Sequence, residues 1–346
     1  MVETTNASAV TISIPTNATA AFPVGSKIEV WQRGTGAVTI TGAAGTTTVA
    51  SGRRAAATTT PTEPSAPDPP TTTWGVRPGL PLGVAAVEAA LKDAGVTAGE
   101  VDQLTVVSCT GYATPGVDIL LARELEMPAS VQRVAIGHMG CYAAVPGLAT
   151  VADATAARDL TSVLLCLELP SLHVQPAADE PQQMVAHSLF SDAAAAVVVT
   201  PSGPGLEVLG TVARTDVDTA DHMTWDVTDL GFKMGLSPKV PDVLGRHARP
   251  VVEELLGRHG LAVGDVEGWA VHPGGRKIVE VVGEVLGLSD AQVAPSYDVL
   301  RDAGNCSSAT VLLVLERMPE LPVGGWAVAM AFGPGLTLYA ALLRRR

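Results

Sequence analysis

Gly137-His138-Met139-Gly140-Cys141-Tyr142-Ala143-Ala144-Val145 is the stretch on which the reading of this chain turns. The residues before it, Val131 to Ile136, predict a strand, and the small residues after Cys141 predict a helix. Gly140 permits the tight turn between them. A thiol at such a junction faces unpaired backbone N–H groups and the positive end of the helix dipole, and both favour thiolate. Pro146 falls in the first turns of the expected helix, where proline is tolerated. A buried structural cysteine of an α/β core fits the same local sequence, so this stretch alone leaves both readings open.

Working outward, the chain from Leu80 onward alternates helix and strand patterns. Helices are predicted over Gly83–Ala94, Val117–Leu125, Pro250–His259, Lys277–Leu286 and Ser307–Arg317. Strands are predicted over Val101–Val107, Val163–Leu167, Ala193–Thr200, Leu206–Ala213 and Gly268–Val271, with a final hairpin of Trp326–Phe332 and Leu336–Leu343. This alternation implies layered α/β architecture, with two halves meeting near Pro201–Gly205. The first eighty residues differ. Residues 1–51 read as short β-strands, with period-two alternation at Val10–Ile14 and Ile28–Trp31 and a further run at Ala37–Ile40. Residues 52–80 are Thr/Pro-rich, opening on Arg53-Arg54, and read as a linker. The expected units are therefore 1–51, 52–80, 81–204 carrying Cys141, and 205–346 carrying His272 and Asn305.

His272 stands in Trp269-Ala270-Val271-His272-Pro273-Gly274-Gly275, where an apolar strand runs out into a glycine-bearing turn. That end of a strand faces the crevice in which α/β folds place their sites. Asn305 stands in Gly304-Asn305-Cys306-Ser307-Ser308 before an apolar helix, a context that also suits a plain helix cap. Phe332-Gly333-Pro334-Gly335-Leu336-Thr337 is a turn that could bring backbone close to a ligand.

Taken together and in order, these segments resemble the type III polyketide synthases, the chalcone- and stilbene-synthase-like enzymes of the thiolase fold. Gly140–Ala143 is similar to that family's nucleophile segment, His272–Gly275 to its His-Pro-Gly-Gly, Gly304–Ser308 to its Gly-Asn-x-Ser-Ser, and Phe332–Thr337 to its Phe-Gly-Pro-Gly-Leu-Thr. Leu189–Asp192 and Gly231–Lys233 resemble the segments that carry two gatekeeper phenylalanines, Phe190 and Phe232. The loop Ser108–Asp118 resembles a wall of the bacterial enzymes' site, with Cys109 at the position of a second cysteine and Thr110 beside it.

The resemblance implies a thiolase-like αβαβα fold from about residue 80. It implies catalysis by Cys141, His272 and Asn305, with the thiolate paired to His272. Substrate would be bound by Phe190, Phe232, Cys109, Thr110, Gly274, Gly275, Gly333, Pro334 and Gly335. It further implies decarboxylative condensation of malonyl-CoA onto an acyl-CoA starter, by a cytoplasmic homodimer with no metal or redox cofactor. Residues 1–80 do not align with the family's usual opening strand, helix and basic segment, although Arg53 and Arg54 are candidates for the last. Ala193 stands where the family has glycine, which matters only if the backbone there is left-handed.

Composition narrows the alternatives. A net charge of −13 argues against nucleic acid and anionic membrane surfaces. Four cysteines without Cys-x-x-Cys spacing argue for reduced thiols and against a zinc site. No apolar run reaches the ~18 residues of a spanning helix, and no signal-peptide pattern opens the chain. Remaining alternatives are a ketoacyl-carrier-protein synthase III-like enzyme, whose histidine motif lacks Pro-Gly-Gly, and an inactive synthase remnant. A papain-like protease orders Cys, His and Asn in the same way, but its Cys-Gly-Ser/Ala-Cys-Trp context is absent.

Overall fold

The computed structural model of the chain describes residues 76–175, 180–229 and 231–346, together with the backbone of four short strands before them. Those strands are β1 (Val2–Thr4), β2 (Val10–Ile14), β3 (Val30–Gln32) and β4 (Val38–Gly42). They form two parallel pairs, β1 with β3 and β2 with β4. The first half of the main body follows with α1 (Val76–Ala94), β5 (Gln103–Ser108), α2 (Val117–Glu124), β6 (Gln132–Gly137), α3 (Ala144–Arg158), β7 (Ser162–Glu168), α4 (Pro181–Leu189) and β8 (Ala193–Val199). The second half contains β9 (Leu206–Thr215), the hairpin β10 (Met223–Thr228) and β11 (Gly231–Leu236), α5 (Val240–Gly257), β12 (Gly268–Val271), α6 (Arg276–Leu286), α7 (Asp290–Ala303), α8 (Ala309–Arg317), β13 (Trp326–Gly333) and β14 (Thr337–Arg345).

Two four-stranded sheets organise the body, in the orders β6-β5-β7-β8 and β12-β13-β14-β9. Each ends its parallel part in an antiparallel pair, β7 with β8 and β13 with β14. Helices α3 and α8 contact strands of both sheets and form the middle layer. Their small apolar residues, among them Ala144, Val151, Ala309 and Val311, share one core with Val107, Leu164, Ala329 and Ala341 from the sheets. Outside the first sheet, α1 and α2 cover a core of Val87, Leu104, Leu121 and Leu165. Outside the second, α5 and α6 cover Leu244, Leu255, Val282 and Leu342. The result is five layers, αβαβα, with β7 and β12 buried along their whole length, as parallel strands sandwiched between helices must be.

Two helix starts differ from the sequence expectation. Helix α1 begins at Val76, so the expected linker 52–80 runs into it; residues 52–75 and Arg53-Arg54 lie outside the described residues. Pro78 falls in the first turn, where no intrahelical N–H bond is lost, while Pro81 is inside the helix and removes one. Glycines 79 and 83 let α1 lie close on the sheet: an added Cβ would come 3.1 Å from Leu167 and 3.3 Å from Leu165 respectively, both on β7. Helix α5 starts at Val240 and runs through Pro250, because a continuous buried face from Val243 to Leu256 outweighs the local break. Helices α4 and α7 and the hairpin β10–β11 are additional to the expected elements. Ala193 opens β8 and is not among the residues with positive φ, so alanine there is unstrained.

Candidate active site

Cys141 lies in a turn three residues before α3, with Ala143 N–H donating to the Gly140 carbonyl at 3.0 Å. Gly140 has φ +85°, and an added Cβ would come 2.3 Å from Cδ of Pro334. A Cβ on Gly333 would come 2.9 Å from the Tyr142 ring and 3.2 Å from the Cys141 nitrogen. The nucleophile turn and the β13–β14 turn therefore interlock through two glycines and a proline, and Gly335, at φ +129°, closes the second turn.

His272 follows β12 and its N–H donates to the Met330 carbonyl at 2.8 Å, beside the end of β13 that abuts Cys141. Its ring lies 6.1 Å from that of Phe332. Gly274 folds back to bond the His272 carbonyl, and Gly275 sits at the N-cap of α6. Asn305 is held by the segment around Phe190: its N–H bonds Leu189 and its carbonyl accepts Ser191 N–H. Its Oδ1 accepts Ser307 N–H at 2.9 Å and lies 4.0 Å from Cys141 Sγ. The formal N-cap of α8 is Ser308, which makes no side-chain cap bond, while the Asn305–Ser307 contact caps the turn leading into the helix. With its oxygen committed to Ser307, the amide presents N–H donors on its other side.

Cys141, His272 and Asn305 are all buried. Burial pushes the Cys141 thiol up to about 12, against the lowering effect of Ser307 and Asn305, and holds His272 down to about 3. Neither imidazole nitrogen has a hydrogen-bond partner among the described residues. Burial thus works against the thiolate–imidazolium pair expected from the sequence. Each charge alone would be desolvated.

Around these three lies a second polar layer that sequence reasoning missed. Glu168 ends β7 fully buried. It accepts Cys109 N–H at 3.0 Å, the Thr110 hydroxyl at 2.7 Å and the Ser308 hydroxyl at 2.5 Å. Burial raises its carboxyl above the usual range. A carboxylate closing the apolar run Val163–Leu167 was the available signal. Cys109 is buried, and its Sγ accepts Gly140 N–H at 2.9 Å, so it supports the nucleophile turn. The loop Ser108–Asp118 walls a cavity of about 270 Å³ that includes Thr110 and His138. Phe190 and Phe232 meet through Trp225, at 6.5 Å and 5.9 Å between ring centres.

Five α/β layers, with a buried cysteine and asparagine in contact and a histidine on a neighbouring strand end, define a condensing acyltransferase of the thiolase-like class. The chain belongs to the chalcone and stilbene synthase family: residues 76–204 match the model of that family's N-terminal domain and residues 209–345 that of its C-terminal domain. It is 35% identical over 275 residues to the alpha-pyrone synthesis polyketide synthase-like Pks18 of Mycobacterium tuberculosis, covering 76% of this chain and 70% of that protein. It is 36% identical over 276 residues to a 1,3,6,8-tetrahydroxynaphthalene synthase of Streptomyces peucetius subsp. caesius, covering 77% and 73%. Among solved structures, PKS-I of the brown alga Ectocarpus siliculosus superposes with TM-score 0.72 at 31% identity, covering 77% and 74%. The C-terminal type III domain of Steely1 from Dictyostelium gives 0.73 at 29%, covering 79% and 80%. The chain is accordingly a type III polyketide synthase, a transferase that works by decarboxylative condensation through a cysteine.

Proposed function

We propose that Cys141, His272 and Asn305 carry out this reaction on coenzyme A thioesters. The 4.0 Å contact between Cys141 Sγ and Asn305 Oδ1, both buried, which sets the amide beside the nucleophile, is the observation that supports it most directly. Cys141 gives its proton to His272 as Sγ attacks the carbonyl carbon of an acyl-CoA. The C–S bond to coenzyme A breaks, and the leaving thiolate takes the proton from His272. Moving that proton inside the site creates two opposite charges together, which escapes the penalty each would meet alone. Malonyl-CoA then binds, its terminal C–C bond breaks to release CO2, and the thioester oxygen takes the developing negative charge. Donors from Asn305 and His272 stabilise that enolate. Its carbon attacks the Cys141 thioester, the new C–C bond forms, and Sγ leaves as thiolate. Phe190 and Phe232 divide the coenzyme A entrance from the cavity in which the chain grows. Backbone at Gly274, Gly275 and Gly333–Gly335 lines the passage, and Cys109 and Thr110 form the opposite wall.

The test is turnover of acyl-CoA with malonyl-CoA, read as CO2 release and product mass. Asn305→Ala should lower kcat by about 10²–10³, the range for losing one oxyanion donor, and should still acquire the starter acyl group; His272→Gln, which keeps a donor but cannot take the Cys141 proton, should lower it by about 10²–10⁴. Wild-type turnover in Asn305→Ala would remove it from the mechanism.

We further infer a homodimer joined along β6. This strand is the outer one of its sheet, and five of its six residues are exposed, Val134 among them. An edge strand of that kind is a ready template for pairing with a second copy.

A further inference from the structure

We propose that His173 is a positioning residue that clamps Phe232 and ties it to the loop supporting the nucleophile, and that this clamp sets which acyl chains the enzyme accepts. The proposal rests on the reading of Phe232 as a wall between the entrance and the cavity.

His173 is 4% exposed. Its Nε2 lies 2.7 Å from the Thr110 carbonyl, which can only accept, so Nε2 carries the hydrogen. Its Nδ1 lies 3.1 Å from the Phe232 backbone nitrogen, which can only donate, so Nδ1 is bare. The two contacts fix one neutral tautomer by their chemistry. The imidazole also stacks on the Phe232 ring, with centres 4.5 Å apart and planes 20° from parallel. Two residues on, Gln175 donates to the Phe232 carbonyl at 3.2 Å and to the His173 carbonyl at 3.3 Å. Both backbone polar groups of Phe232 are therefore taken by side chains of one short segment.

Phe232 stands opposite Val227 in β10–β11, a two-stranded ribbon joined to neither four-stranded sheet. Such a hairpin is marginal without further support. His173 and Gln175 occupy the place that a third strand would take. At its other end His173 grips Thr110, next to Cys109, whose Sγ accepts the N–H of Gly140, the neighbour of Cys141. Gate and nucleophile turn are thus joined by a continuous set of contacts. A small cavity of about 30 Å³ lies against the clamp, lined by His173, Phe190, Trp225 and Phe232.

Two amides dissect the clamp. Gln at 173 keeps a donor toward Thr110 and loses the acceptor for Phe232 N–H. Asn keeps that acceptor and loses the donor. In the full chain with malonyl-CoA and hexanoyl- or dodecanoyl-CoA, His173→Gln should change the ratio of kcat/KM for the two starters by about fivefold, the worth of one neutral hydrogen bond. It should also speed amide exchange at Phe232, a readout independent of turnover. His173→Asn, which keeps the Phe232 bond and gives up only the tie to Thr110, should leave amide exchange at Phe232 within about twofold of wild type and shift the starter ratio less than His173→Gln does. Unchanged starter ratio and exchange in His173→Gln would overturn the proposal. Equal losses in both variants, in step with a fall in Tm, would overturn it in favour of plain packing. Phe232→Ala separates the two layers of argument. If it leaves the starter ratio unchanged, the gate reading has failed and the proposal with it; if it shifts the ratio and His173→Gln does not, the clamp alone has failed.

Discussion

At the level of single residues, the site is dominated by burial. Burial drives Cys141 toward its thiol and His272 toward its neutral imidazole. This has a consequence for stability that does not depend on catalysis. His272 in the unfolded chain titrates near 6.5, while in the folded chain it stays neutral down to about 3. Between those values the unfolded state binds the extra proton, so His272 contributes stability above pH 6.5 that is lost as pH falls toward 3. Glu168, raised by burial, acts in the opposite direction, so the comparison must be made within a variant pair. The Tm of wild type should fall more steeply from pH 7 to pH 4.5 than that of His272→Gln, by calorimetry. Parallel curves would show that His272 already carries a charge. Much at this scale was readable in advance: Cys141, His272 and Asn305 each sit in a run whose order is diagnostic. Glu168 and His173 were not, because a single carboxylate or imidazole gains its meaning only from partners far along the chain, such as Ser308 and Phe232.

At the level of elements, strands and long amphipathic helices followed their hydrophobic period, and misreadings gathered at proline. Pro250 was expected to open a helix and instead lies within α5; Pro78 was assigned to a linker and Pro81 left outside the expected helix Gly83–Ala94, and both belong to α1. Proline is a local signal, and a buried helix face overrides it when enough apolar surface is at stake. Helix α7 carried a sequence mark that went unused, the Ser289–Gln292 capping box in which Ser289 N–H bonds Gln292 Oε1 at 3.0 Å. Pro81 is exposed, so Pro81→Ala removes no packing and restores an N–H for the Arg77 carbonyl. It should stabilise by up to about 3 kcal/mol, visible as a rise of several degrees in Tm. A lower Tm would mean that the bend at Pro81 is needed to seat α1 on the sheet.

The whole molecule is built from two similar halves, and comparing them shows what differs. In the second sheet, the antiparallel strand β14 carries a further strand, β9, on its outer edge. Its counterpart β8 ends the first sheet, with no strand beyond it among the described residues. The family match begins at Val76, so the difference falls where the first 75 residues depart from the family pattern. The opposite edge, β6, is the one assigned to self-association. Val134→Glu would place like charges at a twofold contact, and should convert a dimer to a monomer in sedimentation velocity. A wild-type monomer, or a Val134→Glu dimer, would contradict that assignment. The layered architecture could be anticipated from alternating periods alone, but the pairing of edges could not, since it depends on which surfaces are left uncovered once every layer is in place.

The central claim is that Cys141 becomes acylated. Intact mass of the full chain after incubation with acyl-CoA thioesters tests it most directly. The account predicts a gain equal to one acyl group in wild type and none in Cys141→Ala of unchanged Tm. An acyl adduct that persists in Cys141→Ala, or a folded wild-type protein that takes up no acyl group from any thioester, would contradict it.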